Sequence, residues 1–196
     1  MDRNLRSLIG CAAALALFVE CGGPTSGEAE QPTGSRIAAS VRNIEKMTVA
    51  SVTHLGPISE FPAAMGRLNT WAASVGLQPA GAPFGVFHGS PETPADSVQF
   101  EVCMPVPAGT VADSTSGVTV KEFGGFAFAA LTHVGPYESL QPEYDSLAVW
   151  IDDNGYVITG PAIEFYLSGP QTVPAESTKT EIGFEVRHLK ELEGEQ

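Results

Sequence analysis

VASVTHLGP (residues 49–57) and FAALTHVGP (residues 128–136) share an Ala, a Thr-His pair and a closing Gly-Pro at an offset of 79 residues. The offset holds without a gap well beyond these nine positions. Leu68 falls on Leu147, Trp71 on Trp150, Gly76 on Gly155, Gly81 on Gly160, Pro91 on Pro170 and Thr93 on Thr172. Phe87 falls on Tyr166, one aromatic ring on another. Matched Trp, His and Gly-Pro positions over so long a span mark two copies of one unit. Two copies are too few for a solenoid, so they are expected to pair with each other.

Each copy has the same coarse plan. An alternating strand (Met47–His54; Phe126–His133) runs into the Gly-Pro turn. Apolar residues then recur at helical spacing: Phe61, Met65, Leu68, Trp71/Ala72 and Val75 in the first copy, and Leu140, Tyr144, Leu147 and Ile151 in the second. Pro62 and Pro142 fall near the helix starts, where a missing N–H costs little. Gly76 and Gly155 suit left-handed C-terminal caps. Two strands close each copy, Phe84–His88 with Val98–Met104 and Ala162–Leu167 with Thr180–Val186. The Pro-, Gly-, Ser- and Thr-rich stretch 106–118 joins the copies. The expected fold is α+β: a strand–helix–strand–strand unit used twice, the SHS2 plan, giving one antiparallel sheet with both helices on one face. The opposite face, at the junction of the copies, is expected to hold the ligand groove.

The flanks read differently. Arg3 and Arg6 precede an uninterrupted run from Leu8 to Val19 of 12 apolar or small residues. A spanning helix needs about 20 such residues, whereas a signal-peptide core needs roughly 7–15. Residues 1–21 are therefore expected to be a signal peptide of the lipoprotein type, with Cys21 the lipidated residue. Cys11 has the better local box (Leu8-Ile9-Gly10-Cys11) but too short an apolar stretch before it, and secretion without a lipid is the alternative. Residues 22–40, rich in Gly, Pro, Ser, Thr and Glu, are expected to be a flexible tether. Residues 41–188 form the expected domain, with copies at about 46–105 and 119–186, and 189–196 form a charged tail that frays. The expected location is the periplasm or a membrane-anchored position outside the cytoplasm.

Charge and cysteine usage exclude several classes. The formal net charge of -13 repels polyphosphate, so no nucleic-acid partner is expected. No C-x-x-C pair is present, and Cys103 in its apolar run reads as a small buried hydrophobe. His88 and His188 have no metal-ligand partner at the right spacing, and the matched His54 and His133 suggest a structural hydrogen bond. No P-loop, G-x-S-x-G elbow or H-E-x-x-H motif occurs. No metal, cofactor or protein partner is expected, and the only membrane contact expected is through the N-terminal lipid.

The second copy reads HVGPYESL, YDSLAVW, AIEFYLSGP and TEIGFEV. These elements resemble the GyrI-like small-molecule-binding domain, the effector-binding domain of AraC-type and MerR-type regulators. The resemblance covers about residues 41–186 and is weaker in the first copy. It implies a ligand cleft between copies, lined by the glutamate of the E-x-Y-L element, here Glu164, and by the Tyr of the G-P-Y element, here Tyr137. It also implies cationic aromatic ligands. In familiar relatives a helix-turn-helix domain precedes this module; a signal and tether stand there instead, which argues against a transcription factor. Some stand-alone relatives hydrolyse strained cyclopropane rings in alkylating compounds. Another type binds DNA gyrase in the cytoplasm, from which export would separate this chain.

Strand alternation points to the same carboxylate. Ile163, Phe165 and Leu167 share one face; Glu164 and Tyr166 share the other. The repeat partner of Glu164 is Gly85, so the carboxylate breaks the internal symmetry. A carboxylate beside aromatic walls suits a delocalised cation; the plainer reading is a solvated strand residue. Phe87, the partner of Tyr166, is expected to face the same groove. Trp71 and Trp150 complete the candidate ligand-binding set, although matched helix residues are more often core. The expected function is a small-molecule-binding module for an apolar, cationic aromatic ligand. The alternative is a hydrolase in which Glu164 activates water.

Overall fold

The computed structural model of the protein describes residues 37–89, 93–94, 96–169 and 172–193. The signal-peptide assignment, Cys11, Cys21 and the tether as far as residue 36 lie outside the described residues.

The two alternating segments form β2 (Met47–Gly56) and β6 (Phe126–Val134). Each ends at its Gly-Pro, where proline has no N–H to continue a ladder. A 3-10 turn follows (Ile58–Glu60; Tyr137–Ser139) and leads into α1 (Phe61–Ser74) or α2 (Gln141–Asp153). Pro62 and Pro142 occupy the first turns, and Gly76 (φ 66°) and Gly155 (φ 76°) stand just past the helix ends in the left-handed region. Leu68 and Leu147, a repeat pair, are both fully buried beneath their helices. Two antiparallel strands close each copy: β3 (Phe84–His88) with β4 (Val98–Pro105), and β7 (Tyr156–Tyr166) with β8 (Lys179–His188).

The described chain also contains β1 (Ser40–Ile44) and β5 (Thr119–Phe123), which the sequence reading did not anticipate. They stand 79 residues apart, so the repeated unit begins one strand earlier than the alternation suggested. The sheet order is β1-β6-β8-β7-β3-β4-β2-β5. The strand before the first copy therefore pairs with the second, and the strand before the second copy pairs with the first. The two connecting links cross. A Cβ on Gly124 (φ 100°) would come within 2.3 Å of the Glu45 carbonyl oxygen, so the crossing needs glycine there. Gly125 N–H donates to the Ile44 carbonyl at 2.7 Å.

Further differences lie at the margins. The expected tether runs to residue 40, but Ile37 and Ala39 already pack against buried side chains, and β1 begins at Ser40. The expected fraying tail instead begins as a short helix, α3 (Leu189–Glu193). Strand β7 starts at Tyr156, six residues before the expected Ala162, and Leu167 lies just past its end, 51% exposed.

Both faces of the sheet are buried. On the helix face α1 covers Val52, Phe100 and Val102, while α2 covers Leu131, Ile182 and Val186. The other face holds Phe84, Val86, Cys103, Phe128, Ile163 and Phe165. The sheet curls around these: the Phe84 and Phe123 rings stand 4.6 Å apart although two strands separate theirs. Burial pushes the Cys103 thiol up to about 12, which suits a packing residue. Arg42 of β1 lies over the Phe128 and Phe165 rings and binds Glu181 through two nitrogens, tying the exchanged strand to the second copy.

Candidate ligand-binding site

The two copies meet where β3 pairs with β7, and there Gly85 stands directly opposite Glu164. The two residues are repeat partners and cross-strand neighbours at once. They lie on the local axis relating the copies, on the helix face. Glu164 is thus on the helix face, not on the opposite face expected to hold the groove. Alternation placed Glu164 and Tyr166 together but could not say which face carries the helices. The other face is filled by the inner aromatic core. Two surface depressions, of about 320 and 430 Å³, lie by the β1–β2 link; neither is lined by Glu164.

Glu164 is half-buried and accepts a hydrogen bond on each oxygen. Tyr144 of α2 donates at 2.9 Å, and Tyr166, two residues along β7, donates at 3.0 Å. Burial raises the pKa of the carboxyl above the ordinary carboxylate value, while the two phenols and the charge of His133 pull it down. Both phenols are held well above their usual range, by burial first and then by the adjacent Glu164 charge. They therefore remain O–H donors, and the carboxylate the acceptor. Tyr137 is raised too, for the same two reasons.

Aromatic rings surround this group. Tyr137 meets Tyr166 edge-on at 5.7 Å, and Phe61, at the start of α1, meets Tyr166 at 5.5 Å. Phe61 also stacks on Phe87 at 5.6 Å. A Cβ on Gly85 would come within 2.7 Å of Phe87 and 2.9 Å of Phe61. The glycine therefore makes room for both rings beside Glu164. The result is a carboxylate ringed by π-faces and phenol hydroxyls, a setting suited to a desolvated organic cation.

The structure brings Glu164, Tyr137, Tyr166 and Phe87 together through this chain of contacts. It does not bring in the two tryptophans. Trp71 is a core side chain, 8% exposed beneath α1, and Trp150 packs against the core beneath α2. Two site residues were missed. Tyr144 and Phe61 had been counted only as members of apolar helix stripes. A sequence signal existed for Tyr144: its repeat partner is Met65, so it too replaces an apolar residue with a polar one. The matched histidines do make hydrogen bonds, His133 to Glu143 at 2.8 Å and His54 to Glu60.

A family model described as the GyrI-like small molecule binding domain matches residues 39–187. Solved structures share the fold. The C-terminal domain of EcmrR is 23% identical, with a TM-score of 0.70 over 76% of this chain and 97% of that one. In the complex of EcmrR with DNA the identity is 22% and the TM-score 0.69, and this chain spans 57% of that longer protein. A hydrolase from Listeria innocua is 16% identical, with a TM-score of 0.59 over 76% of this chain and 91% of that one. SAV2435, solved bound to tetraphenylphosphonium, is 13% identical, with a TM-score of 0.50 over 82% of this chain and all of that one. At these identities the likeness is one of fold. No curated protein matches. Among the described residues no helix is long and apolar enough to cross a membrane.

Proposed function

The chain belongs to the GyrI-like small-molecule-binding family, and on that footing we propose that it captures an apolar, aromatic organic cation in the cleft over Glu164. The observation that carries this reading is the carboxylate itself: half-buried, raised in pKa, held by two phenols and bordered by Phe61, Phe87 and Tyr137. A buried charge is costly unless paired. A cation with diffuse charge would pair with it through Coulomb attraction and lie against the rings without needing hydrogen bonds of its own. SAV2435, of the same fold, carries tetraphenylphosphonium, a ligand of that class.

The test is a thermal-shift panel of cationic aromatic compounds set against neutral isosteres. Stabilisation by the cations alone, lost in Glu164→Gln, is expected. Equal shifts in both proteins would remove Glu164 from the site.

We further read the protein as exported and held at a membrane through Cys21, on the strength of the short apolar run before it. Mass spectrometry of the native N-terminus should find a diacylated Cys21; an intact Met1 would contradict export. On this reading the partner is a small molecule and not DNA, in keeping with the net charge of -13.

A second reading is hydrolysis. A carboxyl with a raised pKa beside two phenol donors is the equipment of a general base with hydrogen-bonding assistance, and a fold relative is described as a hydrolase. Ring-opened product from a cyclopropane alkylator, absent with Glu164→Gln, would favour it over simple capture.

A further inference from the structure

The cleft contains a second built feature. His133, at the end of β6, is 3% exposed. Its Nδ1 lies 2.8 Å from the Glu143 carboxylate, and its Nε2 lies 3.2 Å from the Pro136 carbonyl oxygen. The Ser139 hydroxyl, 3.3 Å from the same Nε2, donates to that carbonyl at 2.7 Å. Nδ1 therefore faces a carboxylate, and Nε2 lies between a carbonyl and a hydroxyl that can donate or accept.

The pair stands in a telling place. Strand β8 pairs Thr180 with both His133 and Tyr166, and Ile182 with both Leu131 and Glu164. His133 thus shares the sheet face of Glu164, one step along and two strands across. Glu143 and Tyr144 are consecutive in the first turn of α2. One is fixed to His133, and the next reaches Glu164. The first copy supplies the control. Its histidine, His54, pairs with Glu60, which is half exposed, and with Arg67. Ala64 stands where Glu143 does, and Gly85 where Glu164 does. The counterparts of Glu143 and of the Glu164 carboxylate are absent together.

We propose that the His133–Glu143 pair is the positioning device of the site: it clamps the first turn of α2 so that Tyr144 meets Glu164. This deepens the cation reading and rests on it for the ligand. The groups facing Glu164 are the phenols of Tyr137, Tyr144 and Tyr166, with Thr180 and Ile182 of β8, Gly85 and Phe87 of β3 and Phe61 of α1. Breaking the pair releases the Tyr144 hydrogen bond, which helps to hold the carboxylate ionised.

The test titrates the Glu164 side chain by carbon-13 NMR in the full chain and in His133→Gln and Glu143→Gln. Both variants should move its midpoint to higher pH, and Glu143→Asp should restore part of the shift. Tetraphenylphosphonium affinity near that midpoint should fall about tenfold in His133→Gln, the factor that one pH unit represents. Nitrogen-15 NMR of wild-type His133 supplies a reading without substitution, in case a variant fails to fold: Nδ1 should carry the hydrogen that the Glu143 carboxylate accepts. An unmoved Glu164 midpoint, or an Nδ1 without hydrogen, would overturn the proposal. Failure of the wild-type protein to bind tetraphenylphosphonium would instead overturn the ligand reading, because the titration needs no ligand.

Discussion

The two copies bury their cores alike and differ around Glu164. Leu68 and Leu147 lie fully buried beneath equivalent helices, and the Gly-Pro turns and glycine caps repeat. Around Glu164 the match fails in a consistent direction. Glu164 answers to Gly85, Tyr144 to Met65, Tyr166 to Phe87 and Tyr137 to Ile58. The second copy carries a carboxylate and three phenols where the first has a glycine and apolar side chains. Duplication supplied a symmetric frame, and these polar groups are built in one half.

Removing the carboxylate should have the largest effect. Glu164→Gln is expected to weaken tetraphenylphosphonium binding on the order of a hundredfold by calorimetry, the size of effect that follows when a buried charge loses its partner. A smaller but distinct effect belongs to the first copy. Gly85→Ala would push a Cβ into Phe61 and Phe87 and should cost about 1–3 kcal/mol in denaturant unfolding. Tyr144→Phe removes one of the two hydrogen bonds to the carboxylate and should lower affinity roughly tenfold, as loss of a hydrogen bond to a charged group does. Its counterpart Met65→Leu should leave binding unchanged.

The smallest effect is one of pH. The Glu164 carboxyl is raised in the folded state, so the folded protein holds that proton to higher pH than the unfolded chain does. Its contribution to stability is therefore most favourable below the unfolded value and declines as pH rises through the folded one. Glu164→Gln should lose this dependence and match or exceed the wild-type melting temperature at neutral pH. A variant less stable there would show that the carboxylate is structural.

Much of this was legible in the sequence. The ungapped offset fixed the helices, their proline starts and their glycine caps, because those positions answer to backbone rules that act locally. Strands β1 and β5 were not seen. Reading SVRNI and TVKEF, each is five residues long, polar and at a sheet edge, so neither shows a clear alternation, although both obey the same offset. Alternation assigned Glu164 and Tyr166 to one face but could not tell that the helices share it. Tyr144 and Phe61 were hidden for a different reason. A ring on an apolar helix stripe looks like core until its hydroxyl or its edge is seen to reach another element. The tryptophans, candidates for the site, pack as core, the commoner role of matched helix residues, since a matched large aromatic is what a repeated core requires.

The crystal structure of the complex with tetraphenylphosphonium tests the account most directly. The phosphonium centre should lie over the Glu164 carboxylate, with its phenyl rings against Phe61, Phe87 and Tyr137. A cation bound on the inner aromatic face, or bound in the same place in Glu164→Gln with undiminished occupancy, would contradict it.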